Sequence, residues 1–451
     1  MKILKIIHGY PPEYNAGSEI YSQTLCNALS ANHEVHVFTR EENPFLPDYN
    51  LRTESDVNEP NIRKHIVNIP LLRHRYRYQH EEVDSLFAVL LDTIRPDIIH
   101  VGHLNHLSTS LLKGVKNIPI VFTLHDYWLV CPRGQFIQRN PQDSLDVWKE
   151  CDGQEDRKCA ERCYSGYFSG DAKEWEEDTQ YWTNWVARRQ SHLKGMLELV
   201  DIFIAPSRYL LDRFKKEINL PDDKFICLDY GFDLTRFSER KRQKENNFVF
   251  GYIGTHTPQK GIHLLIKAFG KIKGNCTLKI WGRVRAEITG SLKQIAESLP
   301  EDVQNKIKWL PEYSNNEITD QVFNTIDVLI VPSIWVENSP LVLHEAQQAG
   351  VPAITANIGG MSEFVQHEKN GLLFKFRDEE SLAFQMQRLL DNPDFAKKLG
   401  KDRYLYSAQG DIPDIKEHVQ KIEEIYLDLI EKKKAEHRYE NDKTRSMAYN
   451  F

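Results

Sequence analysis

The chain has 451 residues, enough for two or three domains, and 41% apolar with 27% charged residues is ordinary for a globular protein. A formal net charge of −7 argues against nucleic acid as a partner. The apolar start, Met1 to Ile7, is too short for a signal peptide, and no run approaches the ~20 apolar residues of a membrane span. The expected location is therefore the cytoplasm.

One supersecondary pattern occurs twice. The first copy runs from Ile3 to Phe38 and the second from Phe248 to Trp281, each as strand, loop, amphipathic helix and strand. Such βαβ units predict parallel sheets with right-handed crossovers. Further strand candidates extend both sheets: Asp97–Val101, Ile118–Thr123, Asp327–Val331 and Pro352–Thr355. We predict an α/β fold with two Rossmann-like, doubly wound domains and a ligand cleft at the carboxyl ends of their strands.

Changes in composition predict the boundaries. The first domain is expected over residues 1–206, with an insertion rich in cysteine and tryptophan at about 131–200. A hinge is expected at 207–247, the second domain at 248–412 and a helical tail at 413–451.

The most informative segment begins a helix after a buried strand. Ser339 is a typical N-cap and Pro340 a typical first helical residue, so the amides of Leu341 and Val342 are left without intrahelical acceptors. These amides and the helix dipole predict an anion-binding site.

Two glutamates frame this helix start. Glu345 follows Leu341 by four residues and shares its face, where a carboxylate can accept two ribose hydroxyls. Glu337 lies in the preceding loop, where it can orient a sugar. The alternative is an ordinary helix with two solvated glutamates.

Other loops supply further candidates. Gly254–Gly261 is a strand-to-helix loop in which Lys260 can hold a diphosphate, and Gly359-Gly360 allows close backbone approach. Taken alone, the first is better explained as a plain strand-to-helix loop with a surface lysine, and the alternative for the glycine pair is a simple turn. In the first domain, His125 ends a strand and Gly17 begins a helix, although a buried core histidine is the commoner case.

These motifs together resemble the glutamate-x7-glutamate pattern of the family 4 retaining glycosyltransferases, which have the GT-B fold. The resemblance covers most of the chain and rests on the following segments: His125–Trp128, Pro206–Arg208, Gly231–Asp233, Lys260-Gly261, Val331–Ala346, Gly350–Pro352, Ile358–Gly360 and Asn370–Phe374. It implies a hexosyltransferase that uses a nucleotide-sugar donor, with a C-terminal helix returning to the first domain. The acceptor class implied is a saccharide or lipid-linked saccharide, as in cell-surface polysaccharide synthesis.

The resemblance also implies roles at matching positions. Glu337, His125 and Lys260 are the expected catalytic residues, with Lys260 on the donor diphosphate and His125 on the donor sugar. Donor binding is expected from Glu345 at the ribose and from the following further positions: Gly17, Thr255, Asn338, Ser339, Pro340 and Leu341.

One expected cation is missing. Many members have an arginine where this chain has Thr255, so His256 and Arg283 are both candidates to replace it. No Asp-x-Asp sequence occurs, so a catalytic divalent metal is not implied and no cofactor is required for the chemistry. The mechanism implied is same-face attack, with the leaving diphosphate taking the acceptor's proton.

Two other functions remain open on sequence alone. A sugar-nucleotide epimerase would use the same fold but would not need a large insertion for an acceptor. A non-catalytic sugar-nucleotide-binding subunit would not need an intact Lys260, Glu337 and Glu345.

The insertion contains four of the seven cysteines: Cys131, Cys151, Cys159 and Cys163. Thiolates at this spacing can close a tetrahedral structural zinc site, although the tight C-x2-C pair of common zinc modules is missing. Buried reduced thiols or disulfides are the alternatives.

A basic and aromatic run extends from Arg73 to His80. It is a candidate for peripheral contact with an anionic lipid head group or a phosphate-bearing acceptor. The alternative, a solvated helix or loop face, is slightly favoured.

Overall fold

The computed structural model describes residues 1–55, 60–70, 78–138, 148–168, 171, 174–237, 239–243 and 245–448. Its strands in the first half are β1 (Lys2–Ile6), β2 (Glu34–Glu41), β3 (Leu51–Ser55), β4 (Ile62–Asn68), β5 (Ile98–Val101), β6 (Ile120–Thr123), β7 (Ile137–Gln138), β8 (Lys149–Glu150), β9 (Ile202–Ala205) and β10 (Phe225–Cys227). The N-terminal sheet has the order β10-β9-β6-β5-β1-β2-β4-β3, while β7 and β8 pair separately. Its pairs are parallel except for β3 with β4.

The second half contains a smaller sheet. Its strands are β11 (Phe248–Ile253), β12 (Cys276–Trp281), β13 (Ile307–Leu310), β14 (Val328–Val331), β15 (Ala353–Ala356) and β16 (Gly371–Phe374). They lie in the order β13-β12-β11-β14-β15-β16, and every pair is parallel. The residues of the central strand β11 are all buried, as expected for a strand covered by helices on both faces.

Helices connect and cover these strands. They are α1 (Gly17–Ser30), α2 (Glu81–Ile94), α3 (Asp156–Cys159), α4 (Trp175–Leu197), α5 (Arg208–Glu217), α6 (Ile262–Phe269), α7 (Ala286–Glu297), α8 (Glu301–Gln304), α9 (Ile318–Gln321), α10 (Leu341–Gln348), α11 (Gly359–Phe364), α12 (Glu379–Asp391), α13 (Pro393–Leu399) and α14 (Ile415–Ala448). The predicted α/β architecture with two Rossmann-like domains is confirmed.

The segment predicted as a hinge, 207–247, contains regular structure of the N-terminal domain. Helix α5 lies in it, and β10 pairs with β9 at the edge of the first sheet. Further along, Arg242 binds Asp327 with an N–O distance of 2.8 Å, beside the second sheet. The chain therefore passes from the first sheet to the second between the end of β10 and Arg242. The predicted domain boundaries themselves remain predictions.

Helix α14 returns to the N-terminal domain, as the resemblance implied. The hydroxyl of Tyr21 lies 2.8 Å from Nε2 of His418, and the hydroxyl of Tyr426 lies 2.5 Å from Nδ1 of His100. Tyr426 is fully buried against the first sheet. The C-terminal helix thus packs on the first domain, through side chains whose partners are distant in the sequence.

The predicted insertion at 131–200 ends in a conventional crossover. Helix α4 leads into β9, which pairs in parallel with β6, so β6, α4 and β9 complete a βαβ unit. Trp185 and Leu193 on α4 are buried. The irregular structure therefore lies between β6 and α4, where residues 139–147, 169–170 and 172–173 are outside the described part.

Among the described helices, we find none with a stretch both long and apolar enough to cross a membrane.

Candidate functional site

The loop between β14 and α10 holds a buried carboxylate. Glu337 is 3% exposed, and its Oε1 accepts hydrogen bonds from Lys260 Nζ at 2.7 Å and from Ser333 Oγ at 2.7 Å. A buried carboxylate is costly without such partners. Two of the predicted catalytic residues, Glu337 and Lys260, are therefore in direct contact.

A glycine pair determines the shape of this loop. The amide of Gly360 donates to the carbonyl of Glu337 at 2.9 Å, and a Cβ on Gly360 would lie only 1.4 Å from the carbonyl oxygen of Asn338. Gly359 has φ of +61°, which favours glycine. The close approach predicted for Gly359-Gly360 is thus made by the protein's own backbone.

Another glycine, Gly261, allows the loop that contains Lys260 to approach the loop that contains Glu337. Gly261 has φ of +71°, and a Cβ there would lie 1.9 Å from the carbonyl oxygen of Pro332. The loop after β11 therefore packs directly on the loop after β14. This packing places Lys260 next to Glu337. Thr255 lies partly exposed in this loop.

The two candidates for the missing arginine differ clearly. His256 is 2% exposed, with Nδ1 3.0 Å from the hydroxyl of Thr289, and burial lowers its pKa. It is therefore neutral and engaged elsewhere. Arg283 instead reaches across the cleft and donates to the side-chain oxygen of Asn15. Of the two candidates, Arg283 is the partly exposed one, and its Nε lies 3.6 Å from Oε1 of Glu312.

The start of α10 differs in detail from the prediction. The helix begins at Leu341, with Pro340 before it in an extended conformation and no side-chain cap. Ser339 is therefore not the N-cap; its hydroxyl donates to Asp229 Oδ1 at 3.1 Å. The first amides, including those of Leu341 and Val342, still lack intrahelical acceptors by helix geometry.

Gly17 lies directly opposite this helix start. It begins α1, and a Cβ on it would lie 3.5 Å from Cδ1 of Leu341. The N-termini of α1 and α10 are therefore neighbours across the cleft. Both carry the positive end of a helix dipole, which favours an anion between them.

Asp229 is a functional candidate that the sequence analysis missed. Besides the Ser339 hydroxyl, its carboxylate binds His344 Nε2 at 2.9 Å and the hydroxyl of Tyr404 at 2.9 Å. Burial opposes protonation of His344, but the charge of Asp229, the hydrogen bonds of the ring to Asp229 and to the Pro340 carbonyl, and the charge of Glu345 together outweigh it and raise the pKa. In the sequence, the one indication of this role is that Asp229 lies two residues before Gly231–Asp233, a segment of the family resemblance.

His125 lies at the carboxyl end of β6 and faces the second domain. Its Nδ1 lies 2.8 Å from the hydroxyl of Tyr230, and its carbonyl oxygen accepts from the side-chain amide of Asn338. Burial, with the nearby charges of Lys5 and His103, lowers its pKa well below the usual value, so the ring is neutral. Its Nε2 is buried and has no hydrogen-bond partner among the described residues.

Glu345 has a partner that the sequence did not predict. Its Oε1 accepts from Arg236 Nη2 at 2.8 Å, and the side chains are 8% and 12% exposed. Burial raises the pKa of Tyr313 beside this pair. The predicted ribose contact is thus a carboxylate held in place by an arginine from the segment between the sheets.

A second bridge joins the domains at α5. Ser207 caps this helix, and both carboxylate oxygens of Glu363, from α11, accept the first-turn amides of Arg208 and Tyr209 at 2.9 and 3.1 Å. The quoted Pro206–Arg208 motif therefore forms a joint between the domains.

The predicted zinc site is not supported. Cys131, Cys151, Cys159 and Cys163 are all buried in the main hydrophobic cluster, but the described residues contain no group of three or more ligands able to hold a metal. Cys151 Sγ donates to the carbonyl of Gly153 at 3.1 Å, and burial raises the pKa of the Cys151 and Cys159 thiols. The thiols fill core positions, and a structural zinc at these four cysteines stays a prediction. Within the predicted basic and aromatic run Arg73–His80, residues 73–77 lie outside the described part of the chain.

Comparisons with known proteins agree with this arrangement. Residues 16–236 match the sequence model of the Glycosyltransferase Family 4 proteins, and residues 234–405 match that of the Glycosyl transferases group 1. An uncharacterized glycosyltransferase of Methanocaldococcus jannaschii is 24% identical over 87% of this chain and 90% of its own. The Escherichia coli UDP-Gal:alpha-D-GlcNAc-diphosphoundecaprenol alpha-1,3-galactosyltransferase is 25% identical over 48% of this chain and 57% of its own.

A solved structure shows the same fold. Anabaena Alr3699/HepE, in complex with UDP and glucose, superposes with a TM-score of 0.63 and 17% identity over 95% of this chain and 100% of its own. The named relatives are glycosyltransferases, which gives no support to the epimerase alternative. The chain belongs to the family 4 glycosyltransferases and has the GT-B fold.

Proposed function

We propose that this enzyme transfers a hexose, with retention of anomeric configuration, from a nucleotide sugar to a saccharide or lipid-linked saccharide. The observation that carries the proposal is the Lys260–Glu337 pair beside the start of α10, with the neutral His125 facing it from the other domain. Cation, helix amides and a buried imidazole converge on one cleft. That is the arrangement needed to bind a diphosphate and the sugar attached to it.

The donor diphosphate is assigned to Lys260 and to the amides at the start of α10, with Gly17 beneath them. Arg283 supplies the cation that Thr255 does not. Each hydrogen bond to the departing diphosphate strengthens as negative charge develops on it, so these groups stabilise the transition state more than the bound substrate. Asn338, Ser339 and Pro340 form the backbone that shapes this end of the cleft.

The nucleotide ribose is assigned to Glu345. Arg236 already occupies Oε1, and no described residue donates to Oε2. The second oxygen is therefore available to accept a ribose hydroxyl, while Arg236 fixes the orientation of the carboxylate. Such orientation lowers the entropy cost of binding.

The sugar itself lies between His125 and Glu337 in this proposal. With the hydroxyl of Tyr230 donating to Nδ1, Nε2 of His125 carries the proton and donates to a sugar hydroxyl. Both Lys260 and Ser333 hold Glu337, so its carboxylate orients neighbouring groups and is not a free nucleophile. Attack on the same face follows, with the diphosphate oxygen accepting the acceptor's proton.

The acceptor class rests on the relatives. The Escherichia coli enzyme is named for a diphosphoundecaprenol-linked acceptor, so a lipid-linked saccharide is the first class to test. Polysaccharide biosynthesis in the cytoplasm, with peripheral membrane contact, is the setting proposed for it.

A donor screen by thermal shift tests the proposal. We expect one nucleotide sugar, with UDP-hexoses the first to test, to raise the midpoint of unfolding of the wild-type protein, because a ligand at 100 times its Kd stabilises by about 2.7 kcal/mol. Glu345→Gln should lose most of that shift. If no nucleotide sugar shifts the wild-type midpoint, or if Glu345→Gln shifts equally, the donor site is wrongly assigned.

A further inference from the structure

A pocket of about 280 Å³ lies between the loop after β6 and the insertion. Its wall is mainly aromatic and its cations are arginines; the residues that matter here are Trp128, Tyr164, Tyr167, Trp185, Arg133 and Arg189. None of the residues assigned above to the donor lines it.

Arg189 is a buried cation that has no ion-pair partner among the described residues. It is 1% exposed, its Nη2 donates to the carbonyl of Trp128, and its guanidinium lies 4.5 Å from the centre of the Trp128 ring. Its Nη1 has no hydrogen-bond partner among the described residues. The carboxylate of Asp126 is near but is bound to His103 and to the Trp128 amide. Because a buried charge without a partner is costly, an anionic ligand would stabilise this group.

Arg133 provides a second guanidinium in the same pocket. Its Nη1 donates to the hydroxyl of Tyr167 at 3.1 Å, and the group lies 5.7 Å from the ring centres of both Tyr164 and Tyr167. Its Nε is buried and has no partner in the described part of the chain. Guanidinium groups match phosphate and carboxylate oxygens in pairs, and aromatic walls suit the apolar face of a sugar ring.

The pocket is close to the catalytic cleft. Trp128 follows His125 by three residues, so their Cα atoms are at most about 11 Å apart. A ligand in the pocket can therefore extend to the sugar that His125 contacts.

We propose that this pocket binds the anionic end of the acceptor, a phosphate or carboxylate attached to a saccharide ring. The inference rests on the proposed function, because it assigns a substrate class to the acceptor side of the same cleft. Arg133 and Arg189 bind the oxyanion, and the tryptophan and tyrosine rings pack against the sugar.

The test measures binding of glucose 1-phosphate, glucuronate and glucose by calorimetry and by tryptophan fluorescence. We expect at least one charged sugar to bind about tenfold more tightly than glucose, and the two charged sugars to distinguish phosphate from carboxylate. Arg133→Gln should abolish the preference. Arg157→Gln, which removes an exposed arginine paired with Glu176 in the same insertion, should retain it.

Lys260→Ala separates this pocket from the donor site. We expect Lys260→Ala to keep the preference for the charged sugar. If Lys260→Ala loses this preference while Arg133→Gln retains it, the anion binds on the donor side and the proposal is overturned. Equal binding of all three sugars by the wild type would also overturn it. If Arg133→Gln does not fold, Tyr167→Phe must weaken the charged sugar about threefold, because it removes the hydroxyl that orients Arg133. Donor thermal shifts, measured separately, report whether the proposed function itself fails.

Discussion

Replacing Lys260 with alanine separates the two tasks of this residue. The lysine neutralises buried Glu337 across 2.7 Å, and its side chain is 34% exposed. Losing one partner of a fully buried pair costs about 3–5 kcal/mol, but water can reach this site, so we expect about 1–2 kcal/mol. For a domain of this size the melting temperature should fall by about 2–8 °C. Lys260 is thus expected to stabilise the fold by pairing with Glu337, in addition to binding the donor.

The effect on catalysis should be larger than the effect on stability. Removing one preorganised charge from a developing oxyanion costs about 2.7–4 kcal/mol, or about 10²–10³ in kcat. The assay is release of nucleoside diphosphate from the donor identified in the screen, compared with melting by circular dichroism. Lys271→Ala is the matched control, because that exposed lysine pairs with Glu379 at 2.7 Å on the surface of the same domain.

A double variant refines the prediction. Lys260→Ala combined with Glu337→Gln removes the unpaired charge, so stability should return towards that of the wild type while activity stays low. Activity of Lys260→Ala within about threefold of the wild type would refute the assignment of the diphosphate to this lysine.

Three further outcomes are expected. Arg236→Ala should raise the KM for the donor about tenfold by freeing Glu345, with a smaller effect on kcat, which steady-state kinetics will show. Gly360→Ala should reduce activity at least tenfold with the protein still folded, because its Cβ would lie 1.4 Å from a carbonyl oxygen, and activity with circular dichroism checks this. The pKa of His344 is raised in the folded protein, so its pairing with Asp229 stabilises the folded state. This stabilisation is complete below the pKa of about 6.5 in the unfolded chain, and it is lost as the pH rises through the pKa in the folded protein. The wild type should therefore lose more stability between pH 6 and pH 8 than His344→Gln does, measured by urea unfolding; equal losses would contradict the pairing.

The parts of the fold that follow from local pattern were predictable. Buried runs such as β11 and β14 appear as continuous apolar strands because helices cover both faces. The junction from Glu337 to Glu345 was recognisable because strand, loop and helix follow one another in sequence. The proximity of Lys260 to Glu337 follows from parallel strands that end at one edge of a sheet.

The parts that depend on tertiary contact were not predictable. Ser339 has the chemistry of an N-cap, but Asp229 lies close enough to take its hydroxyl. Arg236 comes from a segment that looks like a linker, and nothing in its local sequence indicates Glu345 as partner. The insertion cysteines have metal-like spacing, but the chain packs them into the core. For Ser339 and for Arg236, a residue distant in sequence decides the outcome.

The most direct test of the central claim follows the anomeric configuration of the sugar. Incubating the protein with its α-linked nucleotide hexose and recording early proton spectra identifies the first product, either the glycoside or the free hexose formed when water is the acceptor. The account predicts release of nucleoside diphosphate together with the α-anomer, and loss of both in Lys260→Ala. A β-anomer formed first, or an epimerised nucleotide sugar without release of nucleoside diphosphate, would contradict it.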